Sequence, residues 1–200
     1  MATPRQARQS KEKDAGTRQR LIEATAQVIR DEGYAAATTR RIAAVAGVRS
    51  ALVYYYFDTL DDLFVAVLQS GADAALERMR DALTTDDPLR ALWLINSDSR
   101  ATGLNTEFMA LANHRKALGA ELKAYSERVR DIETAAVAGV LRSHGVDMEE
   151  FPPVVMSMLL TQSARSLCNE EAVGVTEGHA EFRAFVERFL RRFGTGQPAT

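Results

Sequence analysis

The segment from Thr39 to Phe57 constrains the fold of this chain more than any other. Its apolar residues recur at helical spacing on both sides of Gly47, which lies where the chain has to reverse direction. Glycine is favoured at such a reversal because it adopts a positive φ without steric cost. The pattern predicts two short helices joined by a tight turn, a helix-turn-helix, whose second helix enters the major groove of DNA. Helices this short bury little apolar surface, so we expect them to pack on a neighbouring helix.

The apolar members of this segment are expected to form its packed side. They recur at the three- and four-residue spacing of a helix face, which favours burial over contact with a ligand. We therefore assign a structural role to Ile42, Val48, Val53, Tyr54 and Phe57.

Charge is unevenly distributed along the 200 residues. The formal net charge is −2, which argues against a uniformly basic nucleic-acid binder, but residues 1–58 carry +4 and residues 59–200 carry −6. A basic N-terminal piece on an acidic body fits a DNA-reading head carried by a domain with other duties. Taken alone, the charges leave chance asymmetry on a solvated surface as an alternative.

Helical periodicity continues along the chain, and no segment alternates with the two-residue period of a strand. The sequence therefore predicts an all-α fold of about nine helices. Thr39, Thr59 and Asp87 are expected N-caps, with Asp62 completing a capping box and Pro88 at the first helical position. We expect helices from Thr17 to Glu32, after Thr39, before Phe57, from Thr59 to Leu83, after Asp87, after Gly103, from Lys116 to Ser143, from Pro152 to Ala172, and from Gly178 to Arg192.

The N-terminus and the single cysteine indicate the compartment. Residues 1–15 mix basic residues with Gln, Ser and Pro without an apolar period, so we interpret them as a flexible basic arm and not as a signal peptide. No apolar run approaches the roughly 20 residues that a membrane span requires. Cys168 has no partner for an intrachain disulfide, which favours a reducing compartment. We expect a cytoplasmic protein with no membrane partner.

Motifs that carry catalysis are not found in the sequence. There is no phosphate-binding GxxxxGK, no dinucleotide-binding GxGxxG and no GxSxG nucleophile elbow. His114, His144 and His179 are far apart and lack the spacing of zinc ligands. We therefore expect no enzymatic activity, no catalytic residue, no cofactor and no metal site.

Residues Gly16 to Leu68 resemble the TetR family of bacterial transcriptional regulators. The resemblance rests on Arg20-Leu21-Ile22-Glu23-Ala24-Thr25, Glu32-Gly33-Tyr34, Thr38-Thr39-Arg40-Arg41-Ile42-Ala43, Ala46-Gly47-Val48, Val53-Tyr54-Tyr55-Tyr56-Phe57 and Asp61-Asp62-Leu63. It implies a homodimer with two DNA-reading heads and two ligand-binding bodies, most often a repressor that a small molecule releases from a palindromic operator. By position, it assigns DNA contacts to Thr39, Arg40, Ser50, Leu52, Tyr55 and Tyr56.

The segment departs from the family pattern at Arg49, Ala51, Leu52 and Leu60, and two of these departures concern a phosphate contact. Arg49 stands where the family usually has Ser or a similar capping residue, and Leu60 replaces a frequent Lys that holds a phosphate. Arg49 either takes over that phosphate contact or is simply solvated, and the sequence leaves both readings open. We include Arg49 among the DNA-contacting candidates.

The resemblance implies an organisation for the whole chain: the arm at 1–15, a DNA-binding domain at 16–59, a ligand-binding and dimerisation domain at 60–194, and a disordered tail at 195–200. Large apolar side chains with a few polar tips suit an apolar or amphipathic effector; we assign its pocket to Trp93, Phe108, Met109, Ala112, Leu122, Tyr125, Met158 and Gln162. Arg165 and Lys123 would meet a carboxylate or acyl-CoA phosphates if they point inward. The last two helices would form the dimer through Phe182, Phe185, Val186 and Phe189.

Two other functions remain open at this stage. One is a DNA-binding regulator of the same fold that has no small-molecule effector and is switched by a protein partner. The other is an all-α lipid carrier or enzyme whose helix-turn-helix is vestigial. Binding to an operator at physiological salt would exclude the second, and DNA release by small molecules would exclude the first.

Overall fold

The computed structural model describes the backbone of residues 4–193 and the side chains of residues 14–193. Within this range the chain is helical and has no strand, which confirms the predicted all-α class. A 3₁₀ helix at Tyr34–Ala36 accompanies nine α-helices: α1 Pro4–Glu32, α2 Thr39–Ala46, α3 Ala51–Tyr56, α4 Leu60–Ala82, α5 Pro88–Asn96, α6 Ser99–Ala112, α7 Lys116–Ser143, α8 Pro153–Ala172 and α9 His179–Phe193.

The helices group into two compact units. The first comprises Met1–Gly71 and Thr106–Leu122, and the second comprises Ala72–Asn105 and Lys123–Thr200. The first unit is therefore larger than the DNA-binding domain expected at 16–59, because it also holds the start of α4 and the corner between α6 and α7. The residues of α4, α6 and α7 are divided between the two units.

Helix α1 begins earlier than the sequence pattern indicates. It starts at Pro4, and not near Thr17. Residues 5–13 are Arg, Gln, Ala, Lys and Glu with one Ser, most of which have high helix propensity, so the helix extends without needing an apolar face. Residues 4–15 of the expected arm are thus helical. Residues 1–3 and the tail expected at 195–200 lie outside the described residues.

Two of the three predicted N-caps, Thr59 and Asp87, are present. The side chains of Thr59 and Asp62 cap each other: the Thr59 N–H donates to Oδ2 of Asp62 at 3.0 Å, and the Asp62 N–H donates to Oγ1 of Thr59 at 3.1 Å. Asp87 accepts from the Arg90 N–H at 3.0 Å and precedes Pro88. For α2, however, the N-cap is Thr38, whose side chain accepts from the Arg41 N–H, and Thr39 is the first helical residue.

Helix α6 also differs from the expectation. It begins at Ser99 and contains Gly103, which the sequence pattern had placed before the helix. The physical reason is the cap at Asp98, whose Oδ1 accepts from the N–H groups of Arg100 and Ala101. A capped start offsets the modest cost of one glycine in a helix.

Each unit has its own buried apolar core. In the first unit the most buried side chains come from α1, α2, α4, α6 and α7: Leu21, Val28, Ile29, Ile42, Leu63, Phe108 and Leu118. In the second unit two clusters form, one around Leu89, Val137, Leu141, Leu160, Val186 and Leu190, and one around Leu76, Met79, Leu92, Val129 and Ala136. The first core supports the helix-turn-helix, since Ile42 is fully buried in it.

Candidate nucleic-acid interface

The turn between α2 and α3 has the geometry that the sequence predicts. Gly47 ends α2 in the left-handed conformation, with φ 65° and ψ 36°. Its N–H donates to the Ala44 carbonyl at 3.2 Å, and the N–H of Val48 donates to the Ala43 carbonyl at 2.9 Å. These bonds satisfy carbonyls that the end of α2 leaves open, and glycine is preferred there because a Cβ would be strained at this φ.

Contacts with α1 hold the two short helices in place. Arg41 of α2 donates to Glu32 of α1 through Nε at 3.0 Å and Nη2 at 2.7 Å. This hydrogen bond lowers the pKa of Glu32 below its ordinary value, and the nearby positive charge acts in the same direction. Both side chains are exposed, so the pair positions α2 more than it stabilises the fold. The guanidinium of Arg18 lies 4.9 Å from the ring centre of the buried Phe57.

Four of the candidate DNA-contacting residues are exposed on α2, α3 and their connection, and we call these four the exposed patch. Arg40, Arg49, Ser50 and Tyr55 are all exposed, and Tyr55 retains 69% of its accessible surface. Guanidinium groups and hydroxyls are the groups that bind phosphates and base edges. The patch therefore has groups suited to contact both the phosphate backbone and the base edges of a nucleic acid.

The three other candidates are less available. Thr39 and Leu52 are half-buried. The hydroxyl of Tyr56 donates to Oδ1 of Asp14 on α1 at 3.0 Å, and the ring lies edge-on to Tyr55 with 4.9 Å between centroids. Burial, and then this hydrogen bond, raise the pKa of Tyr56. Tyr56 would have to share or leave Asp14 to contact a phosphate, whereas Tyr55 would not.

The assignment of Tyr54 to the packed side is wrong. Tyr54 is 58% exposed, and its hydroxyl accepts from Oγ1 of Thr39 at 3.2 Å. Val53 and Phe57, which are four residues apart, lie on the buried side of this segment. Tyr54 lies about 100° around the helix from Val53. Tyr54 thus joins the exposed patch, and the spacing of Val53 and Phe57 was the signal that places it there.

Within the first unit, the corner between α6 and α7 is tied to the segments that flank the helix-turn-helix. Arg115 pairs with Asp61 in the first turn of α4, and its guanidinium lies 5.4 Å from the ring centre of Phe64. The N–H of Tyr34 donates to Glu107 of α6 at 3.2 Å. The corner thus contacts the chain on both sides of the helix-turn-helix, before α2 at Tyr34 and after α3 at Asp61.

The residues assigned to an effector pocket lie in different environments. In the first unit, Phe108 and Leu122 are core side chains, Ala112 is half-buried, and Met109 is exposed. In the second unit, Trp93 and Tyr125 are half-buried, whereas Met158 and Gln162 are exposed. Met109 and Met158 project from the solvent sides of their helices, so as placed they do not line an interior cavity. The pocket assignment as a whole stays a prediction.

The expected dimer residues also divide into two groups. Phe182 and Phe185 are exposed, the latter by 58%. Val186 is buried in the core of its own unit and Phe189 packs against that core, because they share a face of α9 with Leu190. Val186 is therefore not at the surface of the protomer, and the dimer assignment as a whole stays a prediction. Sequence reasoning missed Val155 and Leu159 of α8, which are exposed opposite the buried Leu160 and Ala164.

The described residues contain neither a metal-binding group nor a helix able to span a membrane. Among them no group of three or more His, Cys, Asp and Glu side chains is arranged to hold a metal ion. None of the described helices is long and apolar enough to cross a membrane.

Comparisons with known proteins agree with this geometry. Residues 21–67 match the family model for bacterial regulatory proteins of the tetR family. The chain is 28% identical over 195 residues to the HTH-type transcriptional regulator BetI of Rhizobium meliloti (strain 1021), covering 90% of this chain and 92% of BetI.

Solved structures share the fold. A TetR transcription regulator from Haloarcula marismortui ATCC 43049 superposes with a TM-score of 0.70 at 22% identity, covering 90% of this chain and all (100%) of that one. The transcriptional regulator FadR from Bacillus subtilis, solved in complex with stearoyl-CoA, gives a TM-score of 0.65 at 16% identity, covering 90% and 98%. At these identities the superpositions establish the all-α fold.

Proposed function

We propose that this chain is a DNA-binding transcriptional regulator of the TetR family, a homodimeric repressor that an apolar or amphipathic small molecule releases from a palindromic operator. The observation that carries the proposal is the exposed patch of Arg40, Arg49, Ser50 and Tyr55 on a helix-turn-helix whose apolar side is buried. The apolar side packs in the interior of the first unit. The exposed side carries guanidinium and hydroxyl groups, which bind phosphates.

The two heads would bind equivalent half-sites. A two-fold dimer presents the same patch twice, so its operator has to be a palindrome whose half-sites are spaced as the heads are. The net charge of +4 on residues 1–58 adds sequence-independent attraction to the DNA backbone. Arg40 is exposed on α2 and is the first candidate for a contact with a guanine edge.

The second copy would dock on α8 and α9. Val155 and Leu159 of α8 and Phe182 and Phe185 of α9 are exposed apolar side chains, and Leu159 is 62% exposed. Large apolar side chains exposed in this number favour contact with a matching surface over water. A second copy of the same chain supplies that match under two-fold symmetry.

The effector would act through differential binding. A small molecule releases DNA only if it binds the DNA-incompetent arrangement more tightly, and each ligand then weakens the other by the same factor. The FadR superposition bears on this because that regulator was solved with stearoyl-CoA, an amphipathic molecule. Within the first unit, the pairing of Arg115 with Asp61 offers a route by which α6 and α7 act on the head.

Selection from a library of random DNA duplexes tests the proposal without knowledge of the operator. The wild-type protein should enrich an inverted repeat at physiological salt. Arg40→Ala should abolish or relax the preference at one base pair in each half-site. Arg100→Ala removes an exposed arginine of the second unit and should leave the enriched sequence unchanged. If the wild-type protein enriches no sequence, the proposal is contradicted.

A further inference from the structure

A polar cluster lies inside the second unit, among helices whose inward side chains are mostly apolar. Glu133 of α7 and Thr161 of α8 are fully buried, and Asn96 of α5 is nearly so. A buried carboxylate is costly unless its oxygens are hydrogen-bonded and its charge is paired. Arg165 of α8 supplies the charge, with 24% of its side chain exposed.

The four side chains satisfy one another across three helices. Oε1 of Glu133 accepts from Nη2 of Arg165 at 3.0 Å and from Nδ2 of Asn96 at 3.2 Å. Oε2 accepts from Oγ1 of Thr161 at 3.1 Å, and Nε of Arg165 donates to Oδ1 of Asn96 at 2.8 Å. Both carboxylate oxygens are thus occupied, and the guanidinium of Arg165 is held in a fixed orientation.

A second arginine beside this cluster is not satisfied. Nη1 of Arg130, one turn before Glu133 on α7, is buried and has no hydrogen-bond partner among the described side chains. The exposed amide of Gln162 covers the two guanidinium groups: in the orientation that hydrogen bonding favours, its oxygen accepts from Nη2 of Arg130 at 3.0 Å and from Nη1 of Arg165 at 3.3 Å. A neutral oxygen therefore bridges two cations, and one buried donor is left over.

The charges of the site are unbalanced. Arg130 and Arg165 carry two positive charges against the single carboxylate of Glu133. Burial raises the pKa of Glu133, opposed by the charge of Arg165, and protonation of that carboxyl would enlarge the positive excess. An anion with two acceptor oxygens would balance this charge and match two guanidinium groups better than one amide oxygen does.

We propose that Arg130 and Arg165 bind the carboxylate of an amphipathic effector, which displaces the amide of Gln162. The proposal rests on the proposed effector-gated function and deepens it by naming the chemical class of the effector. Arg130 Nη1 gains an acceptor, and Glu133 and Asn96 hold Arg165 in position. The apolar part of the effector lies near half-buried Ile95, Tyr125 and Ile132, which pack against the neighbouring apolar cluster.

The test compares three probes that share one hydrocarbon chain: octanoate, octanol and octylamine. Titration calorimetry on the full-length protein should show saturable binding of octanoate, and binding at least tenfold weaker for the uncharged and cationic probes. Arg130→Gln should weaken octanoate binding at least tenfold. Gln162→Ala removes the competing amide and should tighten it several-fold, which loss of a merely structural residue would not do.

Arg128→Gln is the matched control. Arg128 is an exposed arginine two positions from Arg130 on α7, and its Nε donates to the Ala124 carbonyl. Its substitution should leave octanoate affinity unchanged. If Arg130→Gln does not fold, the comparison of the three probes on wild type and Gln162→Ala still decides the matter.

Equal affinity for the three probes, no binding of octanoate, or unchanged affinity in Gln162→Ala would overturn the proposed carboxylate site. A different result would contradict the proposed function. If octanoate binds in an Arg130-dependent manner but operator affinity is the same with and without it, the site exists and effector-gated release by this class of molecule does not.

Discussion

Replacing Phe185 by Ala tests whether the exposed surface of α8 and α9 joins two copies of the chain. Phe185 retains 58% of its accessible surface in the protomer. Full burial of a Phe side chain contributes about 1.5–3 kcal/mol, so covering the exposed part contributes about 0.9–1.7 kcal/mol. A two-fold interface uses the residue twice, which brings the cost of Phe185→Ala to about 1.7–3.5 kcal/mol of dimer stability. The dimer Kd should therefore rise roughly 20- to 300-fold.

Val186→Ala is the matched control, one residue along the same helix. Val186 is buried in the core of the second unit with Leu160 and Leu190, so its truncation leaves a cavity. It should lower the free energy of unfolding by about 1–3 kcal/mol and change the dimer Kd little. Sedimentation equilibrium measures the Kd, and urea unfolding measures the stability.

The two variants should thus show opposite phenotypes. Phe185→Ala should keep the far-ultraviolet circular dichroism of the wild type while losing dimer, and Val186→Ala should lose stability while keeping dimer. A dimer Kd unchanged within twofold in Phe185→Ala would refute the interface. A wild-type protein that is monomeric at micromolar concentration would refute it as well.

Three further predictions concern the head. Arg40→Ala should cost roughly 1–3 kcal/mol of operator binding and relax preference at one base pair, while Tyr55→Phe should weaken binding to all sequences about equally, as measured on a set of singly substituted operators; a uniform loss in Arg40→Ala would make Arg40 a phosphate contact. Thr59→Ala removes one half of the capping box and should lower the free energy of unfolding by about 1 kcal/mol; thermal unfolding beside Thr84→Ala, an exposed turn threonine, checks this. Because the pKa of Glu32 is lowered in the folded protein, its ionised form stabilises the fold at pH values above the ordinary pKa of 4.5, and this contribution is lost as the pH falls through the lowered pKa. Glu32→Gln should therefore slightly reduce the loss of unfolding free energy at acid pH. An unchanged loss would show that the pair with Arg41 does not stabilise the fold.

Local rules in the sequence account for much of the fold. The long helix over Lys116–Ser143, the capping box at Thr59 and Asp62, and the left-handed Gly47 all appear as predicted, because each depends on residues within one or two turns. The start of α1 was misplaced for a related reason. An amphipathic period marks where a helix packs, whereas propensity alone carries it on to Pro4.

Residues on one helix face were harder to assign. Tyr54 was placed in the core and is exposed, and Val186 was placed at an interface and is buried. In each case the preceding residue has the opposite exposure: Val53 is buried beside Tyr54, and Phe185 is exposed beside Val186. Since adjacent residues on a helix point about 100° apart, a run of apolar residues does not reveal which member faces the protein interior.

The polar cluster around Glu133 was beyond sequence reasoning. Arg130 and Glu133 have the spacing of a solvated ion pair on one helix, and nothing nearby marks Glu133 as buried. Its partners Asn96 and Arg165 lie 37 and 32 residues away in the chain. Only tertiary packing brings them together, although Arg165 had been noted as a cation that would meet an anion if it pointed inward. Lys123, noted beside it, is exposed and pairs with Glu127.

The measurement that tests the central claim most directly is hydroxyl-radical footprinting of the wild-type protein on its selected DNA. The account predicts two protected half-sites related by two-fold symmetry, with centres one helical turn or a multiple of it apart, bound by two copies of the chain. Arg40→Ala should weaken protection of both half-sites to the same extent. Protection of a single asymmetric site by one copy would contradict the account.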